Sequence, residues 1–197
     1  MRLYHVPNTR GSRVIWILEE VGASYDVVRI SRDDARSPEH LARHPLGKVP
    51  VLEDDEGLVF ESAAHCLHIA DLHPEAGLIA PSGTHERALE YQWAFFAMSE
   101  LEPAVAALAF SADDADAGWR QTAEKRLGRR AQVVEDSLDG REYLVEDRFG
   151  VADVLVGAAL FFARRFDLLE GLPSVEAYLG RLDARPARKR ALELASA

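Results

Sequence analysis

The strongest constraint on the fold of this 197-residue chain is a change in its hydrophobic pattern near Gly77. Residues 1–77 alternate between short strand-like runs and stretches whose apolar residues recur at helical spacing, in the order β-α-β-α-β-β-α. After the turn-rich segment 78–84 the sequence indicates helices only. We therefore predict an α/β domain over residues 1–77, a linker over residues 78–84 and an all-α C-terminal helical bundle over residues 85–197.

The first 30 residues predict a strand, a helix and a second strand. Residues 2–6 form a short strand-like run that Pro7 ends, and a helical repeat then extends as far as Gly22. Residues 25–30 are rich in β-branched side chains, which favour a strand. This order is typical of two parallel strands joined by a right-handed crossover.

A β-hairpin follows a short helix predicted over residues 37–44. Residues 49–53 and 58–60 flank a DDEG turn, in which Gly57 occupies the position that needs a positive φ. The other predicted helices cover residues 62–72, about 85–110, 118–138, 151–164, 174–184 and 187–195.

Charge and cysteine content narrow the possible functions. The net charge of −10 disfavours a nucleic-acid or anionic-membrane partner. Cys66 is the only cysteine, so no intramolecular disulfide can form, and the N-terminal residues lack the apolar core of a signal peptide. The longest uncharged apolar stretch, residues 154–163, is about half of what a bilayer span needs. We expect a cytoplasmic protein without a membrane segment.

The most informative stretch is residues 44–62. Pro50 stands at the start of an apolar strand, where it cannot donate a ladder hydrogen bond. A cis Val49-Pro50 bond would turn the backbone groups of Val49 outward, leaving a strand edge for an extended peptide ligand. Glu61 and Ser62 follow the next strand and open a helix. There Ser62 is predicted to cap, free N–H groups attract a carboxylate, and Glu61 can accept from an ammonium group.

These motifs, in this order, resemble those of the cytosolic glutathione S-transferase superfamily, and the likeness extends over essentially the whole chain. The family patterns NPxGKVPxL and strand-Glu-Ser-helix correspond to residues 44–52 and 60–62, with His44 in place of the usual Asn. The resemblance, to a bacterial member of unclear class, implies a thioredoxin-like N-terminal domain followed by a helical domain. It also implies glutathione as co-substrate, no metal, and a homodimer.

The resemblance assigns roles to five residues of the two motifs. It implies that the Val49 backbone pairs with the cysteinyl unit of glutathione and that Pro50 is the cis-proline. It also implies that Glu61 and Ser62 hold the γ-glutamyl end. Lys48 is the candidate partner of the glycyl carboxylate.

The candidate catalytic loop is the sequence PNTRGSR, residues 7–13. A thiol is mostly protonated at neutral pH, so a transferase must stabilise its thiolate with a hydroxyl or amide donor and a helix N-terminus. The family uses Tyr, Ser or Cys, but here Arg10 stands at the position of the beta-like cysteine and Asn8 at that of the theta-like and phi-like serine. Thr9 is the first candidate donor and Ser12 the second, followed by Asn8, with Arg10 as electrostatic help.

Other potential reactive residues have structural interpretations. Tyr4 is expected to pack inward from the first strand, and Cys66 to be a small buried residue of a helix. The histidines at 65, 68 and 73 have no cysteine or carboxylate arranged to complete a closed metal site, so no metal is expected.

The second half contains one further family mark, at the start of the helix predicted over residues 151–164. Gly150 replaces the usual Ser or Thr of a capping box, while Asp153 remains to accept from the Gly150 N–H. We interpret this mark as structural.

The leading hypothesis is a transferase that conjugates the glutathione thiolate to a small hydrophobic electrophile. Aromatic candidates for the electrophile site, which could equally belong to the core, lie at positions 93, 96, 110 and 119. One alternative is a glutathione-dependent disulfide reductase. The other is a non-catalytic binding or scaffold module, against which the complete Val49-Pro50 and Glu61-Ser62 motifs argue.

Overall fold

The computed structural model describes residues 1–111 and 116–196. The chain divides into two compact units, the first formed by Met1–Ile79 and Ala184–Ala197, and the second by Ala80–Asp183.

The first unit is a four-stranded mixed sheet with helices. Its elements are β1 (Arg2–His5), α1 (Gly11–Val21), β2 (Asp26–Arg29), α2 (Pro38–Arg43), β3 (Val51–Glu53), β4 (Leu58–Phe60) and α3 (Ser62–Leu72), with short 3₁₀ turns at Asp34–Arg36 and Pro74–Ala76. The strand order is β2-β1-β3-β4, with β1 parallel to β2 and antiparallel to β3. The predicted β-α-β-α-β-β-α order and the parallel first pair are confirmed.

The core of this unit lies where α1 and α3 pack together beside the sheet. Leu3 and Leu52, neighbours across β1 and β3, and Trp16 of α1 are fully buried. Cys66 of α3 is also fully buried, with its thiol 3.7 Å from the Arg13 carbonyl. Burial raises the pKa of Cys66 to about 12, so the thiol is protonated and inert, in agreement with the sequence prediction.

The second unit is all-helical in its described part. Its helices are α4 (His85–Phe96), α5 (Glu102–Ala109), α6 (Ala117–Ser137), α7 (Val151–Arg164) and α8 (Pro173–Ala184). The single helix predicted over residues 85–110 is wrong in one respect, because a π-helical turn, Ala97–Leu101, separates α4 from α5. Pro103 has no amide hydrogen and its ring would meet the carbonyl four residues earlier, so the turn before it widens.

Asp153 ties the start of α7 to the rest of the second unit. Its carboxylate accepts from the Gly150 N–H at 2.9 Å, as predicted, and also from the Leu144 N–H and the Tyr178 hydroxyl. Asp153 and Tyr178 are fully buried, and α7 is buried over most of its surface. No helix in residues 1–111 or 116–196 is both long and apolar enough to span a membrane.

The last helix, α9 (Pro186–Ser196), belongs to the first unit, whereas we predicted that residues 85–197 form one helical domain. It packs along α1. Arg185 and Arg190 pair with Glu20 and Glu19 of α1, and the Arg188 guanidinium lies 4.8 Å from the Trp16 ring centroid. These long-range pairings place the C-terminal helix against the α/β unit.

Candidate active site

Strand register brings the predicted site motifs to one end of the sheet. Tyr4 of β1 pairs with Val51 of β3, and Val51 pairs with Phe60 of β4. The chain leaves β1, enters β3 and leaves β4 at this same end. The segments that meet there are the loop of residues 6–10, the segment of residues 48–50 and residues 61–62.

Two helices also begin at this end, because α1 follows β1 and α3 follows β4. Neither helix has an acidic residue in its first turn or a side-chain cap on its N-terminus. The partial positive charge of the two helix N-termini is therefore not offset by an acidic side chain in the first turn. This end of the unit suits an anionic ligand or a thiolate.

The Val49-Pro50 peptide bond is cis, as the sequence predicts. Val49 lies just outside β3, which begins at Val51, and neither its N–H nor its C=O takes part in a hydrogen bond within the part of the chain that the structure describes. The neighbouring Lys48 carbonyl accepts from Nε2 of the buried His40 at 2.9 Å, while the Lys48 side chain is exposed. Val49 thus offers the backbone donor and acceptor that an extended peptide needs.

Glu61 adopts an unusual backbone conformation at the start of α3. Its φ of 80° lies in the left-handed region, and its side chain is exposed. Glu61 occupies the N-cap position and Ser62 is the first helical residue, so the prediction that Ser62 caps the helix is wrong. The helix therefore begins at Ser62, the expected cap itself, and the cap position falls one residue earlier, at the exposed Glu61.

His44, at the position where the family pattern has Asn, contacts this corner of the site. Its ring centroid is 4.9 Å from that of Phe60, and its Nδ1 accepts from the Leu46 N–H at 3.1 Å. Burial lowers the pKa of His44, and the Glu61 carboxylate only partly offsets this effect. His44 is therefore neutral at pH 7 and leaves the Glu61 carboxylate available to a cationic ligand group.

Hydrogen bonds within the loop distinguish the candidate thiol donors. The Thr9 hydroxyl donates to the Val6 carbonyl at 2.7 Å, and the Ser12 hydroxyl donates to the Thr9 carbonyl at 3.1 Å. Asn8 has a φ of 60° and is exposed, and its side chain makes no hydrogen bond to the described residues. Arg10 is the exposed N-cap residue of α1. This geometry favours Asn8 as the donor, ahead of Thr9 and Ser12.

Two buried residues of β1 come just before the loop, and only His5 contacts it. The Tyr4 hydroxyl donates to the Glu53 carboxylate at 2.8 Å, and the Arg43 guanidinium lies 4.3 Å from the Tyr4 ring centroid, so the Tyr4 hydroxyl is engaged away from the loop. His5 is fully buried, and its Nδ1 lies 3.5 Å from the Thr9 hydroxyl. A single histidine in a strand has no sequence pattern that would identify it as part of a site.

The four aromatic candidates of the second unit divide into core and surface. Trp93 is buried, and Phe96 packs edge-on against it at 5.5 Å between ring centroids. Phe110 and Trp119 are exposed, and Phe110 contacts Phe162 at 5.7 Å between ring centroids. Residues 1–111 and 116–196 contain no group of three or more His, Cys, Asp or Glu side chains that could hold a metal ion.

Comparison with known proteins agrees with this geometry. Residues 1–71 match the family model of the glutathione S-transferase N-terminal domain, and residues 88–186 match that of the C-terminal domain. Glutathione S-transferase 4 of Zea mays is 33% identical over 192 residues, which cover 91% of this chain and 85% of the relative.

Solved structures are similar over nearly the whole chain. A glutathione transferase from Methylococcus capsulatus superposes with a TM-score of 0.88 at 29% identity, covering 98% of each chain. A sphingomonad glutathione S-transferase complexed with glutathione also gives a TM-score of 0.88, at 26% identity, covering 99% of this chain and 98% of that one.

Proposed function

The chain belongs to the glutathione S-transferase superfamily and is a glutathione transferase, and we propose that it attaches the glutathione thiolate to a small hydrophobic electrophile. One observation supports the proposed glutathione site above all. The free backbone groups of Val49 and the exposed Glu61 carboxylate lie at the same end of the sheet as the N-termini of α1 and α3. Such an arrangement suits a peptide with an amino-acid head group and an acidic thiol.

Each part of glutathione has a proposed partner. Val49 would pair through its backbone with the cysteinyl unit, beside cis Pro50. Glu61 would accept from the γ-glutamyl ammonium group, while Ser62 and the free N–H groups of α3 would bind the neighbouring carboxylate. The exposed Lys48 would pair with the glycyl carboxylate. These contacts are directional and charge-assisted, and they hold the thiol near the loop of residues 6–10.

Asn8 is our proposed donor to the thiolate. Its side-chain amide is free to donate, whereas the hydroxyl protons of Thr9 and Ser12 are engaged by backbone carbonyls. The N-terminus of α1, with Arg10 at its cap, adds positive potential at the same place. Stabilising the anion lowers the pKa of the bound thiol and raises the fraction of reactive thiolate at neutral pH.

Exposed aromatic side chains of the second unit support a hydrophobic second substrate. Phe110 is 76% exposed and Trp119 is 44% exposed, so both side chains present apolar ring surface to solvent. Phe166 extends the Phe110–Phe162 cluster, with its ring centroid 5.3 Å from that of Phe162. We propose that these exposed rings can bind an apolar compound.

A cytoplasmic homodimer is also part of the proposal. Phe95 and Tyr91 on α4 are exposed, with Phe95 at 69%, and Leu72 at the end of α3 is 51% exposed. Apolar groups of this size on a surface are typical of a subunit interface. Light scattering during size-exclusion chromatography should give the mass of a dimer for the wild type. The same measurement should give the mass of a monomer for the Phe95→Glu variant.

Titration of the bound thiol tests the proposed chemistry. Ultraviolet absorbance of the thiolate, followed against pH, gives the pKa of glutathione bound to the wild type and to variants. Asn8→Gly removes the amide while accepting the positive φ, and should raise that pKa by about one unit and lower kcat/KM about tenfold. Ser12→Ala is the matched control, with a much smaller effect. A larger shift in Ser12→Ala than in Asn8→Gly would reject Asn8 as the donor.

A further inference from the structure

We infer that His5 is a positioning residue that couples the C-terminal helix α9 to the loop containing Asn8 and Thr9. All of these groups belong to the first unit. The inference rests on the proposed function only where it concerns the thiol. The coupling itself is a property of the protein without ligand.

The His5 imidazole bridges two elements that are far apart in sequence. Its Nε2 lies 3.2 Å from the Ala195 carbonyl in the last turn of α9, and its Nδ1 lies 3.5 Å from the Thr9 hydroxyl. A carbonyl oxygen can only accept, so the proton is on Nε2. The Nδ1 lone pair then faces the Thr9 hydroxyl, whose proton goes to the Val6 carbonyl, so the contact of Nδ1 with Thr9 is one of packing and not a hydrogen bond. Burial and the nearby Arg29 charge lower the pKa of His5, which keeps the ring neutral at pH 7.

The same ring supports the first residue of α1. A Cβ atom at Gly11 would overlap the His5 imidazole, so residue 11 can approach the ring this closely only as glycine. The Gly11 N–H is also directed at the Thr9 hydroxyl oxygen, at 3.5 Å. His5 therefore packs directly beneath the point where the loop enters the helix, and the position of its ring limits where the loop can lie.

Thr9 transmits this constraint to Asn8. Its hydroxyl donates to the Val6 carbonyl at 2.7 Å and so closes the turn that contains Pro7 and Asn8. Pro at the second position and a positive φ at the third match the requirements of a type II turn. Any rotation of the Thr9 side chain toward other acceptors would open this turn and move the Asn8 amide.

The other end of the bridge is fixed. The Arg29 guanidinium donates to the Leu194 carbonyl at 2.8 Å, next to the carbonyl that His5 uses. The N-terminal end of α9 is held by the Arg185–Glu20 pair. Because α9 is held at both ends, the Ala195 carbonyl is a fixed acceptor, and it orients the imidazole by one hydrogen bond.

Three substitutions separate the two contacts of the ring. His5→Phe keeps a planar aromatic ring, one atom larger than the imidazole, and removes both polar contacts. His5→Asn keeps a polar atom near the Nδ1 position but is too short to reach the Ala195 carbonyl, whereas His5→Gln reaches the carbonyl and lacks the group at Nδ1. Comparing the three variants distinguishes loss of the α9 contact, loss of the Thr9 contact and loss of both.

Hydrogen–deuterium exchange without ligand is the first test. We expect His5→Phe to speed exchange at least fivefold in peptides covering residues 6–12 and 190–196, with little change in the second unit. His5→Asn should affect mainly residues 190–196, and His5→Gln mainly residues 6–12. A Thr9→Val substitution in the His5→Phe background should add little exchange in the loop. Unchanged exchange in residues 6–12 for both His5→Phe and His5→Gln would overturn the inference.

Titration of the bound thiol is the second test. His5→Phe should raise the pKa of bound glutathione and lower kcat about fivefold, with KM for glutathione changed less than twofold, because His5 orients the donor and touches no substrate. A fall in melting temperature with an unshifted thiol pKa and kcat would show that His5 is only structural, and would overturn the inference. If the wild type itself fails to lower the thiol pKa, the proposed function fails, while the exchange result still decides the coupling.

Discussion

The Arg185 guanidinium donates two hydrogen bonds to the Glu20 carboxylate, at 2.7 and 2.8 Å. The same carboxylate accepts from the indole N–H of the fully buried Trp16 at 2.9 Å. Glu20 thus joins the end of α1, a core side chain and the start of α9. Paired, two-point contacts of this kind are stronger and more directional than single surface ion pairs.

We expect Glu20→Ala to destabilise the protein more than Arg185→Ala. Removing Arg185 loses one partly exposed ion pair, at a cost of about 1 kcal/mol, whereas removing Glu20 also takes away the carboxylate that accepts from the Trp16 N–H, for a total of about 2–4 kcal/mol. Urea unfolding followed by fluorescence measures both values. Equal losses of unfolding free energy in the two variants would show that the hydrogen bond from Trp16 to Glu20 does not contribute to stability.

Backbone strain at Glu61 predicts an unusual ranking of two substitutions. Glu61→Gly should be more stable than Glu61→Ala by about 1 kcal/mol, because only glycine adopts a φ of 80° without cost. At ordinary positions alanine is the more stable of the two. Thermal unfolding of the two variants gives the order, and a more stable alanine variant would contradict the strained conformation.

The buried Asp153 network should dominate the stability of the second unit. Asp153→Ala leaves the N–H groups of Leu144 and Gly150 and the Tyr178 hydroxyl without their acceptor, and we expect it to cost about 3–5 kcal/mol. Tyr178→Phe removes one of these bonds and should cost about 1–2 kcal/mol. Chemical unfolding compares them, and a Tyr178→Phe loss as large as that of Asp153→Ala would reject this assignment.

His65 should make the stability of the protein depend on pH in the acid range. Burial lowers its pKa from the ordinary 6.5 to about 4, and its Nε2–H donates to the Val59 carbonyl at 2.8 Å. Below pH 6.5 the His65 imidazole of the unfolded chain becomes protonated, whereas that of the folded chain stays neutral down to about pH 4. The free energy of unfolding should therefore fall by about 3 kcal/mol as the pH is lowered through this window, and stay level with respect to this group above it.

His65→Gln is the matched variant for this prediction, because it retains an amide donor for the Val59 carbonyl and does not titrate. Its stability should vary less steeply between pH 6.5 and 4 than that of the wild type. A remaining slope of the same sign is expected from His5 and His44, whose pKa values burial also lowers. Identical slopes in wild type and variant would exclude His65 as a source.

Local sequence signals predicted most of the fold. Gly22 and Pro7 mark the ends of α1 and β1, the DDEG turn specifies the hairpin, and Asp153 identifies the start of α7. These features depend on neighbouring residues, so hydrophobic period and turn chemistry suffice to find them. The placement of α9 depends instead on ion pairs between residues about 165 positions apart, for which the sequence contains no local signal.

The sequence predicted where the peptide ligand would bind, but it did not predict which side chain would donate to the thiol. The motifs around Pro50 and Glu61 indicated a peptide site because they are tied to strand ends. The order of Thr9, Ser12 and Asn8 as thiol donors could not be obtained the same way. It depends on which hydroxyl protons the loop's own carbonyls engage, and that is decided by three-dimensional packing over His5.

Calorimetric titration with reduced glutathione tests the central claim most directly. The wild type should bind saturably, and Glu61→Ala should raise the dissociation constant about tenfold or more, the effect of losing one charge-assisted hydrogen bond. Glu56→Ala removes an equal charge from the exposed hairpin turn and should bind like the wild type. Equal affinities in wild type and Glu61→Ala, or no binding by the wild type at millimolar glutathione, would contradict the proposed site.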